Sequence, residues 1–190
     1  MEDSKHRVAG ATFADLAVPL FDQLYNFAHW LTQNREEAED LVQETYTKAL
    51  RGFASFQPGT NFRAWMYRIL RNTFLTSRTG LKVTMTVPLD EGDNEPVRAS
   101  DATTPETLLI SQSDQQLVQT ALEELPVPFR EILLLCEVEE MSYQEIAEAL
   151  SIPLGTVMSR LSRARSALRE ILRERLEGNQ ACPATSGKQN

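Results

Sequence analysis

Apolar residues recur every three or four positions along most of the chain, and the runs are separated by clusters of turn-forming residues. This spacing is typical of amphipathic helices that bury one face. It predicts helices over 13–32, from about 35 to 50, over 61–77, from about 114 to 125 and over 128–140. The chain is therefore expected to have an all-α fold.

The stretch 141–168 predicts two short helices separated by a tight break. Ser142 and Glu145 have the spacing of a capping box, so a helix should begin just after Ser142. Pro153 disfavours helix in the residue before it, so this helix should end near Ser151. Two helices joined by a short turn that contains glycine indicate a helix-turn-helix, whose second helix enters a DNA major groove.

The second of these helices has one apolar and one polar side. The polar side is expected to face DNA, and it carries Thr156, Ser159, Arg160 and Arg163. A helical hairpin in an ordinary bundle, with solvated arginines, is the alternative that this segment alone leaves open.

Helical periodicity is lost in the middle of the chain, where prolines and acidic residues accumulate. A structureless run of this length is uncommon within one domain, so it is expected to be a linker. The prediction is two small helical domains joined by a long acidic linker. Their bounds are a first domain over 1–80, the flexible linker over 81–111, a helix-turn-helix domain over 112–176 and a disordered tail over 177–190.

Charge is distributed unevenly along the 190 residues, whose formal net charge is −8. The stretch 61–82 contains five basic residues and no acidic ones, and 142–176 contains six arginines against four glutamates. The overall charge argues against a protein that coats nucleic acid through bulk electrostatics. Two basic patches on an acidic protein instead suggest local, oriented contacts with nucleic acid.

The predicted helix that starts near residue 35 has a polar, mostly acidic strip on its outer side. Taken alone, such a strip is a solvated helix face. The strip consists of Asp40, Gln43, Glu44 and Thr47, and the opposite, buried face is predicted to consist of Ala38, Leu41, Val42, Thr45, Ala49 and Leu50.

Aromatic residues and arginines are concentrated between positions 53 and 78. Rings beside cations suit single-stranded bases, which stack on the rings while the cations contact the backbone. The alternative is that the rings belong to the core, which we favour for Phe62, Trp65 and Phe74 and leave open for Phe56 and Tyr67.

Several other classes of function find no support in the sequence. No apolar run reaches the length of a membrane span, and the first residues lack the apolar segment of a secretory signal. Cys136 is expected in the core and Cys182 in the tail, which favours a reducing, cytoplasmic setting over a redox role. His6 and His29 belong to no metal-ligand cluster, so no metal, cofactor or enzymatic activity is predicted.

Three motifs in order carry a specific resemblance. They are AEDLVQETYTKAL at 38–50, FRAWMYRILRNTFL at 62–75, and the run from LPVPFREIL to SALRE at 125–170. This layout resembles the sigma factors of the sigma-70 family in their two-domain, extracytoplasmic-function (ECF) form. The resemblance covers about 13–172, with the linker matching in character only.

The resemblance implies a role for each polar surface. The acidic strip would bind the clamp helices of the RNA polymerase β′ subunit. The loop over 55–61 and the helix after it would recognise and melt the promoter −10 element, with a base flipped out of the stack. The corresponding DNA-facing residues would be Phe56, Asn61, Arg68, Arg71, Asn72 and Arg78.

The polar side of the last helix would read the −35 element in the major groove. The implied partners are core RNA polymerase, including its β subunit, promoter DNA and an anti-sigma factor. The acidic linker would thread through polymerase channels. The alternative is a stand-alone helix-turn-helix regulator whose N-terminal half is a sensor or dimerisation domain.

Overall fold

Two helical regions make up the computed structural model, which describes residues 7–8, 11–57, 59–79 and 112–180. The first helical region contains β1 (Arg7–Val8), β2 (Ala11–Thr12), α1 (Phe13–Ala17), α2 (Phe21–Thr32), α3 (Arg35–Gly52) and α4 (Phe62–Thr79). The second helical region contains α5 (Gln112–Glu124), α6 (Val127–Leu133), α7 (Tyr143–Leu150) and α8 (Leu154–Gln180). The predicted helical fold is confirmed, with the addition of a short antiparallel hairpin in which Arg7 pairs with Thr12 and Val8 with Ala11.

The predicted helix over 13–32 is interrupted. A 3-10 turn at Val18–Leu20 contains Pro19 and separates α1 from α2, because proline lacks the N–H that a continuous helix requires. Asn34 caps α3, as its side chain accepts a hydrogen bond of 3.1 Å from Glu37 N. The helix then ends in a second 3-10 turn at Phe53–Ser55.

The predicted helix over 128–140 ends differently from the expectation. It is α-helical to Leu133 and continues as a π-helical turn over Leu134–Val138. The backbone then reverses at Glu140, which has a φ of 51°, and Met141 N donates to Leu135 O at 3.0 Å. This reversal directs the chain into the helix-turn-helix.

The last helix extends further than its apolar pattern predicted. We expected the helical domain to end at 176, but α8 continues to Gln180. The ion pair between Arg173 and Glu177, 3.9 Å apart and four positions along the helix, favours this extension. The predicted linker over 81–111 and the tail beyond 180 lie outside the described residues.

The two helical regions contact each other extensively. Within the described residues, buried apolar side chains of both regions form one continuous cluster. The main contacts across the boundary join α4 to α7 and α2 to α6. This packing places the loop before α4 and the side chains along α4 directly against the helix-turn-helix.

Candidate nucleic-acid interface

The helix-turn-helix is held by local hydrogen bonds that its sequence predicted. Ser142 and Glu145 form the capping box at the start of α7, with Glu145 Oε2 2.8 Å from both the N and the Oγ of Ser142. Ser151 ends α7 in the left-handed conformation, with a φ of 55°. Ile146, Val157 and Leu161 are buried between the helices. The polar side of α8 is thereby turned outward.

The four predicted −35 residues do not have equal access to solvent. Ser159 and Arg163 are exposed and Thr156 is half-buried. Arg160 lies toward the first helical region, and only 19% of its side chain is exposed because it faces Glu131 at 3.7 Å. Three of the four residues thus border open solvent, while the fourth lies between the two regions.

The loop over 55–61 borders a cavity of about 780 Å³ between the two regions. Asn61 caps α4 by accepting from Ala64 N at 3.0 Å, and Thr60 Oγ1 donates to Gln57 O at 2.7 Å. Gly59 has a φ of 88°, a left-handed conformation that glycine adopts without steric cost. The walls belong to both regions: Ser55, Phe56, Gln57, Gly59, Thr60, Asn61, Ala64, Trp65 and Arg68 from the first, and Ser142, Gln144, Glu145 and Glu148 from the second.

The aromatic residues beside this cavity belong mainly to the core. Phe56 is 8% exposed and stacks on Phe53 with ring centroids 6.2 Å apart, and its edge lines the cavity. Trp65 lies 5.2 Å from Phe56. Tyr67 is 1% exposed and packs edge-on against Phe27. The question left open for Phe56 and Tyr67 is therefore answered in favour of burial.

The predicted −10 residues on α4 point in three directions. Arg68 and Asn72 are exposed on the cavity side of the helix. Arg71 faces the second region. Arg78 lies over the Phe74 ring and pairs with Glu37 of α3 at 2.9 Å. These side chains do not converge on one point, although all of them lie along α4.

Carboxylates of the second region cover part of this basic surface. Glu131, whose side chain is 1% exposed, receives two hydrogen bonds from Arg71, at 2.8 Å and 3.1 Å. Burial raises the pKa of Glu131 above its ordinary value, while Arg71 and Arg160 oppose that rise. Glu145 Oε1 accepts from Asn61 Nδ2 at 2.6 Å.

A second ion pair crosses the boundary next to Tyr67. Arg63 Nη2 donates to both the carbonyl oxygen and Oε2 of Glu139, at 2.7 Å and 2.8 Å. Among the described residues, Arg63 Nε and the Tyr67 hydroxyl are buried and find no hydrogen-bond partner. Burial raises the pKa of Tyr67. Sequence reasoning missed Arg63, Glu131 and Glu139, because nothing in the linear pattern indicates which face of α6 meets α4.

The acidic strip on α3 is fully open. Asp40, Gln43, Glu44 and Thr47 are all exposed, and Glu44 makes only a surface pair with Lys48 at 2.8 Å. A surface pair of this kind contributes little to stability. The strip is available to a partner without any rearrangement of α3.

An apolar groove of about 940 Å³ lies beside the acidic strip and was not predicted from the sequence. Leu50, which we expected to be buried, is 43% exposed at its edge, and Phe21 is 49% exposed. Tyr46 forms part of the wall, and its hydroxyl donates to Ala17 O at 2.7 Å. Leu50 is exposed because α1 and the 3-10 turn after it leave that end of α3 uncovered.

Two other kinds of site were sought in the described part of the chain. His, Cys, Asp and Glu side chains nowhere gather there into a group suited to a metal ion. None of the helices described combines the length and apolar character needed to cross a membrane. Cys136 is half-buried, and Arg165 Nη2 lies 3.8 Å from its sulfur.

Comparison with known proteins matches both regions to families. The model "Sigma-70 region 2" matches residues 19–82, and "Sigma-70, region 4" matches residues 115–168. The ECF RNA polymerase sigma factor SigE of Mycolicibacterium smegmatis is 36% identical over 175 residues, which is 87% of this chain and 66% of that longer protein. SigW of Bacillus subtilis, an ECF RNA polymerase sigma factor, is 30% identical over 85% of this chain and 89% of its own length.

A solved structure shares the arrangement of helices. The sigma factor RpoE from Bartonella quintana, in complex with the anti-sigma factor NepR, is 30% identical and has a TM-score of 0.61. The match covers 84% of this chain and 98% of that one.

An exposed acidic strip, a loop and helix rich in arginine, and a C-terminal helix-turn-helix define a two-region helical transcription factor. The chain belongs to the sigma-70 family, as a sigma factor of the ECF type. Proteins of this family act in transcription initiation.

Proposed function

We propose that this chain binds core RNA polymerase through the acidic strip on α3 and directs it to promoters with two DNA-reading surfaces. The observation that carries the proposal is the order of these features on one chain: the open strip on α3, the cavity before α4, and the outward polar side of α8. Asp40, Gln43, Glu44 and Thr47 contact the β′ clamp helices, and the second region contacts the β subunit.

The −10 element is melted at the loop over 55–61 and along α4. A base that leaves the stack enters the cavity beside Phe56 and Asn61, while Arg68, Arg71, Asn72 and Arg78 contact the DNA backbone. Extruding a base costs a few kcal/mol, so the pocket must compensate with stacking and hydrogen bonds. The aromatic cluster behind Phe56 supports this assignment because it keeps the cavity wall rigid.

The −35 element is read in the major groove by Thr156, Ser159, Arg160 and Arg163. An arginine that binds guanine in a bidentate manner contributes about 1–3 kcal/mol of discrimination. The exposed position of Arg163 and Ser159 on α8 supports this assignment.

The remaining proposals follow from the family. The linker over 81–111 threads through the polymerase, an anti-sigma factor restrains the chain as NepR binds its own sigma factor, and the chain works in the cytoplasm without catalysing a reaction. A stand-alone regulator is less well supported, because the region 2 match and the open strip on α3 have no role in it.

In vitro transcription tests the proposal. Purified chain is added to bacterial core polymerase with a library of promoter templates, and the transcripts are sequenced. We expect transcripts from a restricted set of promoters that core polymerase alone does not produce. Failure of the chain to bind core polymerase, or transcription without promoter selection, would contradict the proposal.

A further inference from the structure

We infer that Glu131 holds the free chain in a closed arrangement, with the two helical regions packed together, in which it cannot engage a promoter. The inference concerns regulation and rests on the proposed function, since it uses the DNA-reading roles of Arg71 and Arg160. It begins from one contact, in which both arginines meet the same buried carboxylate.

The distance between the two DNA elements makes this contact incompatible with promoter binding. The −10 and −35 elements are centred about 25 base pairs apart, which is about 85 Å along the DNA at 3.4 Å per base pair. Arg71 and Arg160 are proposed to serve one element each, yet both lie within 4 Å of Glu131, at 2.8 Å and 3.7 Å. The two helical regions must therefore separate before the chain binds both elements.

The same arrangement covers the cavity proposed for the flipped base. Glu145 occupies the Asn61 amide at 2.6 Å, and Glu148 also lines the cavity. Carboxylates at this position repel the phosphates of an approaching strand and take the hydrogen bonds that a base would use. Closure therefore blocks the −10 surface as well as Arg160.

Polar contacts at the other side of the boundary add to the closed arrangement. Arg130, which is 5% exposed, donates to Trp30 O at 3.1 Å, and Gln33 Nε2 donates to Glu123 O at 3.2 Å. Residues of both regions thus hold the boundary at two separate places, around Glu131 and around Arg130.

The boundary is nevertheless less well satisfied than a permanent core. The Tyr67 hydroxyl and Arg63 Nε are buried there without hydrogen-bond partners among the described residues. Buried polar groups without partners are costly, and separation of the regions would return both groups to water. A boundary of this kind suits a contact that opens when core polymerase binds.

Glu131 is the residue whose change tests the inference most directly. Glu131→Gln keeps the shape of the side chain but leaves Arg71 and Arg160 as two unpaired cations that repel each other. Removing one partner of a buried ion pair is strongly destabilising, so the ratio of open to closed chain should rise by about tenfold or more. Glu131 is not among the residues proposed to contact DNA or polymerase.

The experiment compares purified chains in the absence of any partner by small-angle X-ray scattering. Glu139→Gln, which weakens the pair with Arg63, is a second variant in case Glu131→Gln does not fold, as judged by circular dichroism. Glu137→Gln is the matched control, because Glu137 pairs with Arg165 at 2.7 Å entirely within the second region. We expect a compact wild type and control, and a larger radius of gyration for the first two variants.

Transcription with core polymerase gives the functional readout. The opened variants should reach half-maximal promoter transcription at a concentration several-fold lower than the wild type, and the control should not. An extended wild type, a folded Glu131→Gln chain as compact as the control, or opening without this gain would overturn the inference. If the wild type gave no promoter-selective transcript at all, the proposed function would fail, while scattering would still decide whether Glu131 closes the chain.

Discussion

The two working faces of the first helical region lie in opposite surroundings. The strip on α3, with Asp40 and Glu44, is open to solvent. The arginines of α4 are partly covered, with Arg71 bound to Glu131 and Arg63 bound to Glu139. The difference indicates an order of events, in which the chain binds core polymerase first and becomes able to read DNA afterwards.

The largest expected effect is on the open face. Charge reversal at two positions, Asp40→Lys with Glu44→Lys, should weaken binding to core polymerase by about 100-fold or more, because like charges at an interface cost several kcal/mol. Both side chains are exposed, so the fold should be unchanged. Biolayer interferometry with immobilised core polymerase measures the loss.

The chain provides a matched control for this pair of changes. Glu170 and Glu174 are also exposed, and they have the same spacing of four residues on α8. Reversing both should leave core binding within about twofold of the wild type, as expected for surface charges outside an interface. Equal losses in the two double variants would mean that net charge, and not the strip, governs binding.

The next effect separates the cavity wall from its DNA-facing surface. Phe56→Ala should lower the free energy of unfolding by about 3 kcal/mol, because the ring is packed among other aromatic side chains. Arg68→Ala should change it by less than about 0.5 kcal/mol, because Arg68 is exposed. Urea unfolding measures both. A small loss for Phe56→Ala would show that the ring is not part of the core.

The third effect concerns the outward side of α8. Arg163→Ala should reduce discrimination between correct and altered −35 elements by about 2 kcal/mol, or about 30-fold. Arg169→Ala, at another exposed arginine of the same helix, is the control. Competitive transcription from paired templates gives the ratio, and unchanged promoter choice in the Arg163 variant would contradict the assignment of this face.

The smallest effect distinguishes the helix caps of the two regions by pH. The hydrogen bond from the backbone N–H of Ser142 and that from its hydroxyl hold the pKa of Glu145 below its ordinary value. A carboxyl of this kind stabilises the folded state above an ordinary pKa of about 4.3, and the stabilisation is lost as the pH falls through the lower folded pKa. The cap of α3 is the amide of Asn34, which does not titrate in this range.

Unfolding of the second region should therefore lose up to about 1 kcal/mol as the pH falls from about 5 to 3, because Glu145 is partly exposed and its charge is screened. Glu145→Gln should remove this component of the pH dependence. Urea unfolding at several pH values, followed for wild type and variant, measures the difference. Identical pH profiles would show that the carboxylate contributes nothing measurable to the cap.

Local features of the fold were predictable because they depend on neighbours in sequence. The capping box of Ser142 and Glu145, the cap at Asn34 and the break after Ser151 are all present as expected. The break at Pro19 was missed, although proline carries a clear signal, because the apolar spacing continues across it. The π-helical turn after Leu133 left no such signal.

The candidate surfaces were predicted less completely than the helices. The strip on α3 is exposed as the periodicity indicated, but Leu50 was placed on the wrong side of the surface. Its exposure depends on where α1 and α2 run, which the spacing within α3 does not contain. Likewise, Phe56 was left open because a ring beside arginines has the same sequence whether it is buried or stacks on a base.

The sequence by itself determined which residues of this protein are helical, where the helix-turn-helix lies, and which polar strips face outward, since these follow from spacing and capping within each helix. Only the tertiary structure decided that Arg71 and Arg160 meet at Glu131. Residues 60 and 29 positions away from Glu131 are brought to one buried carboxylate by the packing of α4 and α8 against α6, and no local pattern specifies that packing.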